Sequence, residues 1–152
     1  DVVIRTSLMV GFPGETEEDF LDTYNFIDSL NVSYLHVFTY SERENTEAID
    51  FKPIVSIEKR RKRNKILRNL STVKLQKFYS ENIGTEKIVL FESENKSGFI
   101  YGFTENYIKV KTKFDSELTN ELREVYLSEL DSEGNMLGEL ESSAVQLVTR
   151  NS

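Results

Sequence analysis

The chain has 152 residues, of which 38% are hydrophobic and 30% charged, a composition typical of a soluble globular protein with one domain or two small ones. It contains no cysteine and one histidine, which excludes disulfides, thiolate metal sites, iron–sulfur ligation and two-histidine metal sites within this chain. The net charge of −7 is unevenly spread, because a basic segment at 52–77 precedes an acidic one at 115–141.

Targeting signals are not visible in the sequence. No apolar run approaches the roughly 20 residues that a membrane span needs, and the lack of cysteine fits a cytoplasmic location, which we expect. The chain begins at Asp1 rather than Met and opens directly on a predicted strand. These features suggest a piece of a longer protein.

A glycine-rich turn follows the first predicted strand. The run 1–10 ends in apolar residues and meets Gly11-Phe12-Pro13-Gly14, whose glycines allow a sharp turn and the close approach of a ligand. Thr16, with Asp19 three residues on, is a near match to a capping box for a helix that begins at Glu17. Because short glycine motifs match by accident, an ordinary strand-to-helix turn is the alternative to a ligand-binding loop.

A helix over 17–30 and a second strand over 33–40 should follow the turn. Helical spacing predicts a row of core-facing residues: Phe20, Tyr24, Ile27 and Leu30. The second strand is rich in aromatic and β-branched residues. Since strand–helix–strand connections are right-handed, the two strands should be parallel. Ligands of parallel α/β folds sit at the carboxyl ends of strands, so the turns at 11–15 and 40–43 should lie close together on one rim.

Residues 56–79 predict a basic helix. Ser56 is its candidate N-cap, and one row of apolar residues should face a core: Ile66, Leu67, Leu70, Val73 and Phe78. Basic residues, Arg63 among them, occupy the rest of the surface. Their charge is either a solvated helix face or a contact surface for a phosphate backbone.

After Gly84 the sequence predicts a small antiparallel barrel or sandwich. Short β-like runs, separated by Gly, Asn and Ser, recur at fairly regular spacing: 87–91, 99–103, 107–113, 124–130, 136–140 and 144–148. The run at 107–113 alternates strictly between two faces. One face carries Tyr107, Lys109, Lys111 and Lys113, and the other carries Ile108, Val110 and Thr112.

Aromatic residues accompany these lysines. Tyr101 and Phe103 come from the preceding hairpin arm. Aromatic rings beside lysines on an open β face are typical of platforms that bind single-stranded nucleic acid. The alternative is a half-buried strand whose lysines protect a sheet edge.

Four segments, in order, resemble one known family. They are Thr6-Ser-Leu-Met-Val-Gly-Phe-Pro-Gly-Glu-Thr16, then Leu35-His-Val-Phe-Thr-Tyr-Ser-Glu-Arg43, then the basic helix, then Gly102-Phe-Thr-Glu-Asn-Tyr-Ile-Lys-Val110. Together they resemble the C-terminal part of radical-SAM tRNA methylthiotransferases. They are most similar to the branch that acts on threonylcarbamoyladenosine beside the anticodon.

The resemblance implies an α+β fold in three parts. Residues 1–55 would form a βαβ edge of the radical-SAM (βα) barrel, and residues 56–80 a basic connecting helix. Residues 81–149 would form a small antiparallel, OB-like β-barrel, the TRAM domain, which binds RNA. The partner would be the tRNA anticodon stem-loop. The truncated barrel edge should be mobile or pair with another chain, which makes a dimer an expectation.

The resemblance also implies chemistry that no side-chain acid or base performs. The C2–H of a threonylcarbamoyl-modified adenosine must become C–S–CH3, so cofactors must do the work. The full-length protein would use S-adenosylmethionine and two [4Fe–4S] clusters. The cluster cysteines lie upstream in the family, so this chain should bind no cluster in the family manner and should be inactive alone.

The same motifs imply individual site residues. One edge of the S-adenosylmethionine pocket falls to Met9, Val10, Gly11, Glu15, Leu35, Val37 and Phe38, while His36 is expected to be structural. Ser41 and Arg43 match the substrate rim, where a guanidinium can read a phosphate or the threonylcarbamoyl carboxylate. RNA contacts fall to Arg63, Tyr101, Tyr107, Lys109, Lys111 and Lys113. Asn45 replaces a family glycine, and asparagine tolerates a left-handed turn conformation.

Two other function classes stay open at the level of sequence. One is a non-catalytic RNA-binding module with the βαβ unit as a scaffold. The other is a protein-interaction domain that uses the acidic end of the chain. Cysteines upstream of this chain would favour the enzyme over both alternatives. Salt-dependent RNA binding would distinguish the RNA-binding module from the protein-interaction domain.

Overall fold

The computed structural model describes residues 3–140, apart from the side chains of residues 93–96. These residues form an α+β structure that divides into two units, residues 3–78 and residues 79–140. The first unit holds a two-stranded sheet and two helices, and the second holds a closed barrel of five strands. Neither helix is long and apolar enough to span a membrane.

The first unit opens with the predicted strand–helix–strand. Its elements are β1 (Arg5–Val10), α1 (Glu17–Ser29) and β2 (Tyr34–Thr39). β1 and β2 pair in parallel, which confirms the prediction from the handedness of the connection. Thr16 and Asp19 form a full capping box at the start of α1.

The core of the first unit lies between this sheet and the helices. Its buried residues are Val10, Phe20, Ile27, Val32, Leu35, Leu67 and Leu70, and Tyr24 packs against them. Leu30 was predicted to face this core but is 37% exposed, so that prediction is wrong. Leu30 is the C-cap of α1, where the backbone has turned from helical to extended and no longer follows the helical row.

The second helix, α2 (Ile57–Ser80), covers the outer edge of β2. The Ser71 hydroxyl accepts a hydrogen bond from the Leu35 N–H (3.0 Å) and donates one to the Leu35 carbonyl (3.1 Å). The Asn64 amide donates to the Val37 carbonyl at 3.2 Å. Side chains of α2 thus satisfy backbone groups that an edge strand would otherwise leave open. Val73, predicted to face the core, is 62% exposed, so that prediction is wrong.

The second unit is a barrel whose strands are joined in the order β3–β4–β5–β7–β6, with β6 closing on β3. The strands are β3 (Glu86–Lys96), β4 (Phe99–Thr104), β5 (Lys109–Lys113), β6 (Leu122–Leu130) and β7 (Met136–Glu139). Five of the six predicted β-runs correspond to these strands, and the sixth, 144–148, lies outside the described residues.

The predicted small barrel is present, but its prediction as antiparallel is wrong at one pair, because β5 and β7 pair in parallel. Strand direction alternates along β3 to β7, and an odd number of alternating strands cannot close with antiparallel neighbours throughout. One parallel contact is the necessary consequence. Ile108 and Val110 point inward as predicted, and the barrel core consists of Val89, Phe91, Ile100, Ile108, Val110, Val125, Leu127 and Met136.

Candidate functional site

The carboxyl ends of β1 and β2 meet at one rim, as the sequence predicted. The Tyr40 N–H donates to the Val10 carbonyl at 2.9 Å, so both strands end side by side. The chain then turns at Gly11, whose φ is +79° and whose N–H donates to the Glu15 carboxylate at 2.8 Å. The Gly14 N–H donates to the Pro53 carbonyl at 2.8 Å, and this hydrogen bond joins the turn to the segment between β2 and α2.

Arg60 of α2 joins the two turns of the rim. It is buried, and its Nε and Nη1 donate to the carbonyls of Val55 (2.8 Å) and Tyr40 (3.1 Å). The guanidinium also binds the Glu42 carboxylate with two hydrogen bonds and lies over the Tyr40 ring. Its aliphatic stem fills the place that a Cβ on Gly11 would take. Glycine at position 11 is therefore required by packing as well as by its backbone conformation.

Arg63 lies one helical turn further along and holds the start of α1. Its guanidinium donates to the Glu15 carboxylate (2.6 Å), to the Glu17 carboxylate (3.0 Å) and to the Thr16 carbonyl (2.9 Å). The side chain is almost fully buried. Arg63 was expected to contact RNA, but its charge is already balanced by two carboxylates, and it acts here as a brace of the turn.

The ion pair at the rim shifts the titration of Glu42. The hydrogen bonds from Arg60 lower the pKa of the Glu42 carboxyl to about 2. A carboxyl whose pKa is lowered in the folded state stabilises that state above its unfolded pKa of about 4.3, and the contribution disappears as the pH falls through the folded pKa. The rim should therefore weaken between about pH 4.5 and pH 2.

We expect the Glu42→Gln variant to lose this acid sensitivity. At pH 6 the variant should be less stable than the unsubstituted chain, because glutamine leaves Arg60 without its anionic partner. The difference should shrink as the pH falls towards 2, since Glu42 is then neutral as well. Urea unfolding followed by circular dichroism at 222 nm measures it. A difference that stays constant from pH 6 to pH 2 would contradict the assigned pKa.

The open face of the β1–β2 sheet carries two of the predicted cofactor contacts. Met9 and Phe38 are partners across the two strands and are 58% and 56% exposed. Val10 and Leu35 point the other way into the core, and Val37 is half-buried against it. Of the predicted pocket residues on these strands, only Met9 and Phe38 offer side chains to this face.

The loop after β2 carries the predicted substrate residues. Ser41 and Arg43 are exposed, and within residues 3–140 the Arg43 guanidinium makes no hydrogen bond or ion pair. Asn45 adopts φ +64°, so the asparagine does support the left-handed turn that the sequence analysis assigned to it. The loop thus presents a cation without a carboxylate partner among the described residues.

A second candidate site is the outer face of β4 and β5 on the barrel. Across the two strands Phe99 pairs with Lys113, Tyr101 with Lys111, and Phe103 with Lys109. The ammonium groups lie diagonally over the rings: Lys109 over Tyr101 and Lys111 over Phe99, each 4.6 Å from the ring centre. Three aromatic rings and three lysines thus alternate on one surface, which we call the β4–β5 face.

The three lysines of the β4–β5 face differ in their surroundings. The Lys111 ammonium donates to the Asp131 carboxylate at 2.8 Å. Burial alone would raise the pKa of Asp131, but the hydrogen bonds from Lys111 and Asn135 outweigh it and hold that pKa below its usual range. In the part of the chain that the structure describes, Lys109 and Lys113 have no carboxylate partner. Tyr107 lies outside β5, in a turn with φ +64°.

Comparison with known proteins decides the family. The chain is 42% identical over 108 residues to the threonylcarbamoyladenosine tRNA methylthiotransferase of Aquifex aeolicus (strain VF5), a match that covers 71% of this chain and 25% of that protein. It is 38% identical over 101 residues to the ribosomal protein uS12 methylthiotransferase of Alkaliphilus oremlandii (strain OhILAs), covering 66% of this chain and 23% of that protein.

A third relative covers most of the chain. The tRNA-2-methylthio-N(6)-dimethylallyladenosine synthase of a Nitratiruptor species is 32% identical over 141 residues, which is 91% of this chain and 33% of that protein. The chain belongs to the radical-SAM methylthiotransferase family. It spans about a quarter to a third of the length of these methylthiotransferases. No protein-family model matches it.

This chain lacks the thiolates that ligate iron–sulfur clusters in proteins. It has no cysteine, and the described residues contain no group of three or more side chains that could hold a metal ion.

Sequence reasoning missed Arg60, Glu42 and Phe99. The spacing of Arg60, Arg63 and Leu67 along α2 was a usable signal, because it places both arginines on the buried row.

Proposed function

We propose that this chain is part of a tRNA methylthiotransferase that modifies C2 of a threonylcarbamoyl-modified adenosine beside the anticodon. The β4–β5 face carries the proposal, because it presents aromatic rings and unpaired lysines together. Two of the three relatives described have names that specify tRNA, and one of these specifies threonylcarbamoyladenosine. We infer that this chain contributes the tRNA-binding barrel and one edge of the cofactor pocket.

The chemistry of the β4–β5 face suits single-stranded RNA. Bases of any sequence can stack on aromatic rings, while lysines between the rings meet the backbone phosphates. Small five-stranded OB-like barrels bind oligonucleotides on such an outer strand face. Tyr101 and Phe103 supply the rings, and Lys109 and Lys113 supply the charge. Lys111 contributes less charge, because Asp131 neutralises it.

At the rim of the first unit, we infer one wall of an S-adenosylmethionine site. Met9 and Phe38 offer an apolar surface for the adenosyl group, beside the Gly11 turn. The side chains of Val10, Leu35 and Val37 point away from this face, and Glu15 holds the turn through Gly11 and Arg63. S-adenosylmethionine with [4Fe–4S] clusters supplies the radical chemistry in the whole protein. Cluster thiolates must come from outside this cysteine-free chain, so the chain alone should be inactive.

The substrate rim fits a modified adenosine that carries a carboxylate. Arg43 presents an unpaired guanidinium shortly after β2, and a guanidinium reads a carboxylate with two parallel hydrogen bonds. A threonylcarbamoyl group has such a carboxylate. We therefore propose that Arg43 and Ser41 recognise the threonylcarbamoyl group.

The test is the salt dependence of RNA binding. We expect the Lys109→Ala/Lys113→Ala variant to bind a labelled anticodon stem-loop more weakly, and its log–log salt slope to fall by about 0.7 to 0.9 per lysine removed. Fluorescence anisotropy between 50 and 300 mM salt measures both quantities. Lys52→Ala, which removes an exposed loop lysine, is the control and should change neither. An unchanged slope in the double variant would exclude the β4–β5 face as the RNA site.

A further inference from the structure

The basic residues of α2 do not all have the same surroundings. Arg60 and Arg63 are buried and paired with carboxylates, and Lys74 caps the end of α1 by donating to the carbonyls of Asp28 and Leu30. Lys59 and Lys62, near the start of the helix, interact electrostatically with the Glu17 carboxylate. In the part of the chain that the structure describes, three further exposed cations, Arg61, Lys65 and Arg68, also have no hydrogen-bond or ion-pair partner.

These three cations form one stripe. Their spacing of four and three residues places them on the same face of the helix, and Thr72 continues the row. The neighbouring row, which contains Asn64 and Ser71, is the one hydrogen-bonded to the edge of β2. The stripe therefore runs along β2. Glu58 is the only acidic residue of α2, and it precedes the stripe.

The stripe ends in a crevice between α2 and β2. The crevice has a volume of about 270 Å³ and is lined by Arg68, Ser71 and Thr72 of the helix and by residues 34–38 of the strand. His36 is the central exposed side chain of that strand segment. Its ring contacts Tyr34 at 4.8 Å and Phe38 at 6.5 Å between centroids. The crevice thus combines a guanidinium and an imidazole with aromatic walls.

We propose that this crevice binds a backbone phosphate of RNA and that the Arg61–Lys65–Arg68 stripe follows the adjoining phosphates. Arg68 and His36 both line this small recess, and their N–H groups suit a phosphate oxygen, while the row of cations fits a continuous phosphate chain. Tyr34, which also lines the crevice, offers a stacking surface for a neighbouring base. The proposal rests on the proposed RNA substrate. It adds a second contact region, on the first unit, that the barrel face does not supply.

The experiment uses the whole 152-residue chain and a labelled anticodon stem-loop RNA. We expect Arg68→Ala and Arg61→Ala each to weaken binding by about fivefold and to lower the log–log salt slope by about one. Lys62→Ala removes the same charge from the same helix off the stripe and should leave both quantities near those of the unsubstituted chain. All three side chains are exposed, so the fold should survive each change.

His36 provides an independent readout, because it is the only histidine of the chain. Its imidazole NMR signals should shift when RNA is added and should not shift with Arg68→Ala at the same RNA concentration. Inorganic phosphate is titrated separately. If phosphate moves the His36 signals but Arg68→Ala leaves RNA binding unchanged, the crevice is a small-anion site and the backbone proposal is wrong.

The outcome is separable from that of the proposed function. If Lys109→Ala/Lys113→Ala weakens RNA binding while Arg68→Ala and Arg61→Ala match Lys62→Ala, the crevice proposal fails and the barrel site stands. If the stripe variants weaken binding while the barrel variant does not, the crevice proposal stands and the barrel site fails. An unsubstituted chain that binds no RNA overturns both.

Discussion

Replacing Gly102 with alanine should destabilise the barrel by about 3 kcal/mol and lower its melting temperature by about 15 °C. Gly102 lies on β4 opposite Phe91 of β3 and Val110 of β5. A Cβ at this position would lie 2.5 Å from the Leu90 carbonyl oxygen and 2.9 Å from the Phe91 Cα. Both are backbone atoms that cannot rotate away, so β3 and β4 would have to separate.

The clash has a location that makes it costly. The β3–β4 register is irregular between Phe91 and Asn95, and Gly102, as the partner of Phe91, lies at the edge of this irregularity. The Val89 side chain also stands within 2.6 Å of the added carbon and is fully buried. Because Tyr101 and Phe103 flank Gly102 on the outer face, moving β4 should also disturb the rings of the proposed RNA-binding face.

Gly134→Ala provides the matched control. Gly134 has φ +81° and no atom within 4 Å of an added Cβ, so its substitution should cost about 1 kcal/mol through backbone conformation alone. Thermal unfolding followed by the NMR amide signals of β3–β7 reports the barrel separately from the helices. If Gly102→Ala and Gly134→Ala melt at the same temperature, the tight approach of β3 and β4 is not real.

Local sequence patterns were sufficient to predict the βαβ unit, because each of its structural features is determined by residues close together in the chain. The glycine turn, the Thr16 cap and the helical row around Phe20 are encoded within a few residues, and chirality then fixes the strand direction. The parallel contact between β5 and β7 has no such cause. It arises from closing an odd number of alternating strands, which is a property of the whole barrel rather than of any segment.

In the candidate site, too, features with a local cause could be predicted from the sequence, and features that depend on long-range contacts could not. The alternation around Val110 correctly placed Lys109 and Lys113 on the outside, since side-chain direction in a strand is local. Asp131 lies 20 residues after Lys111, and nothing in the sequence pattern joins them. Arg63 was assigned to the surface by its charge. Its burial depends on carboxylates 46 and 48 residues away, which only the folded chain brings to it.

Replacing Arg60 with alanine should lower the free energy of unfolding of the first unit by about 4 kcal/mol. The carbonyls of Val55 and Tyr40 would each lose a buried donor, at a cost of about 1.5 kcal/mol apiece. The stem that packs against Gly11 would leave a void worth about 1 kcal/mol. The Glu42 carboxylate is half-exposed and regains water, so the ion pair itself adds little.

Urea unfolding followed at 222 nm measures this loss, because both helices belong largely to the first unit. Arg61→Ala is the control: it removes the same side chain from the next position, where it is exposed and unpaired, and should change stability by less than about 0.5 kcal/mol. Equal effects of the two substitutions on stability would show that Arg60 does not hold the 11–15 and 40–43 turns together.

Arg60→Lys separates the role of the charge from that of the guanidinium. Lysine keeps the charge and most of the stem, but its single ammonium cannot reach Val55, Tyr40 and Glu42 together. We therefore expect about half of the loss seen with alanine. A lysine variant as stable as the unsubstituted chain would mean that charge and packing suffice at the rim. An intermediate loss would show that the fork geometry of the guanidinium is needed to hold the 40–43 turn and Val55 together beside the proposed cofactor pocket.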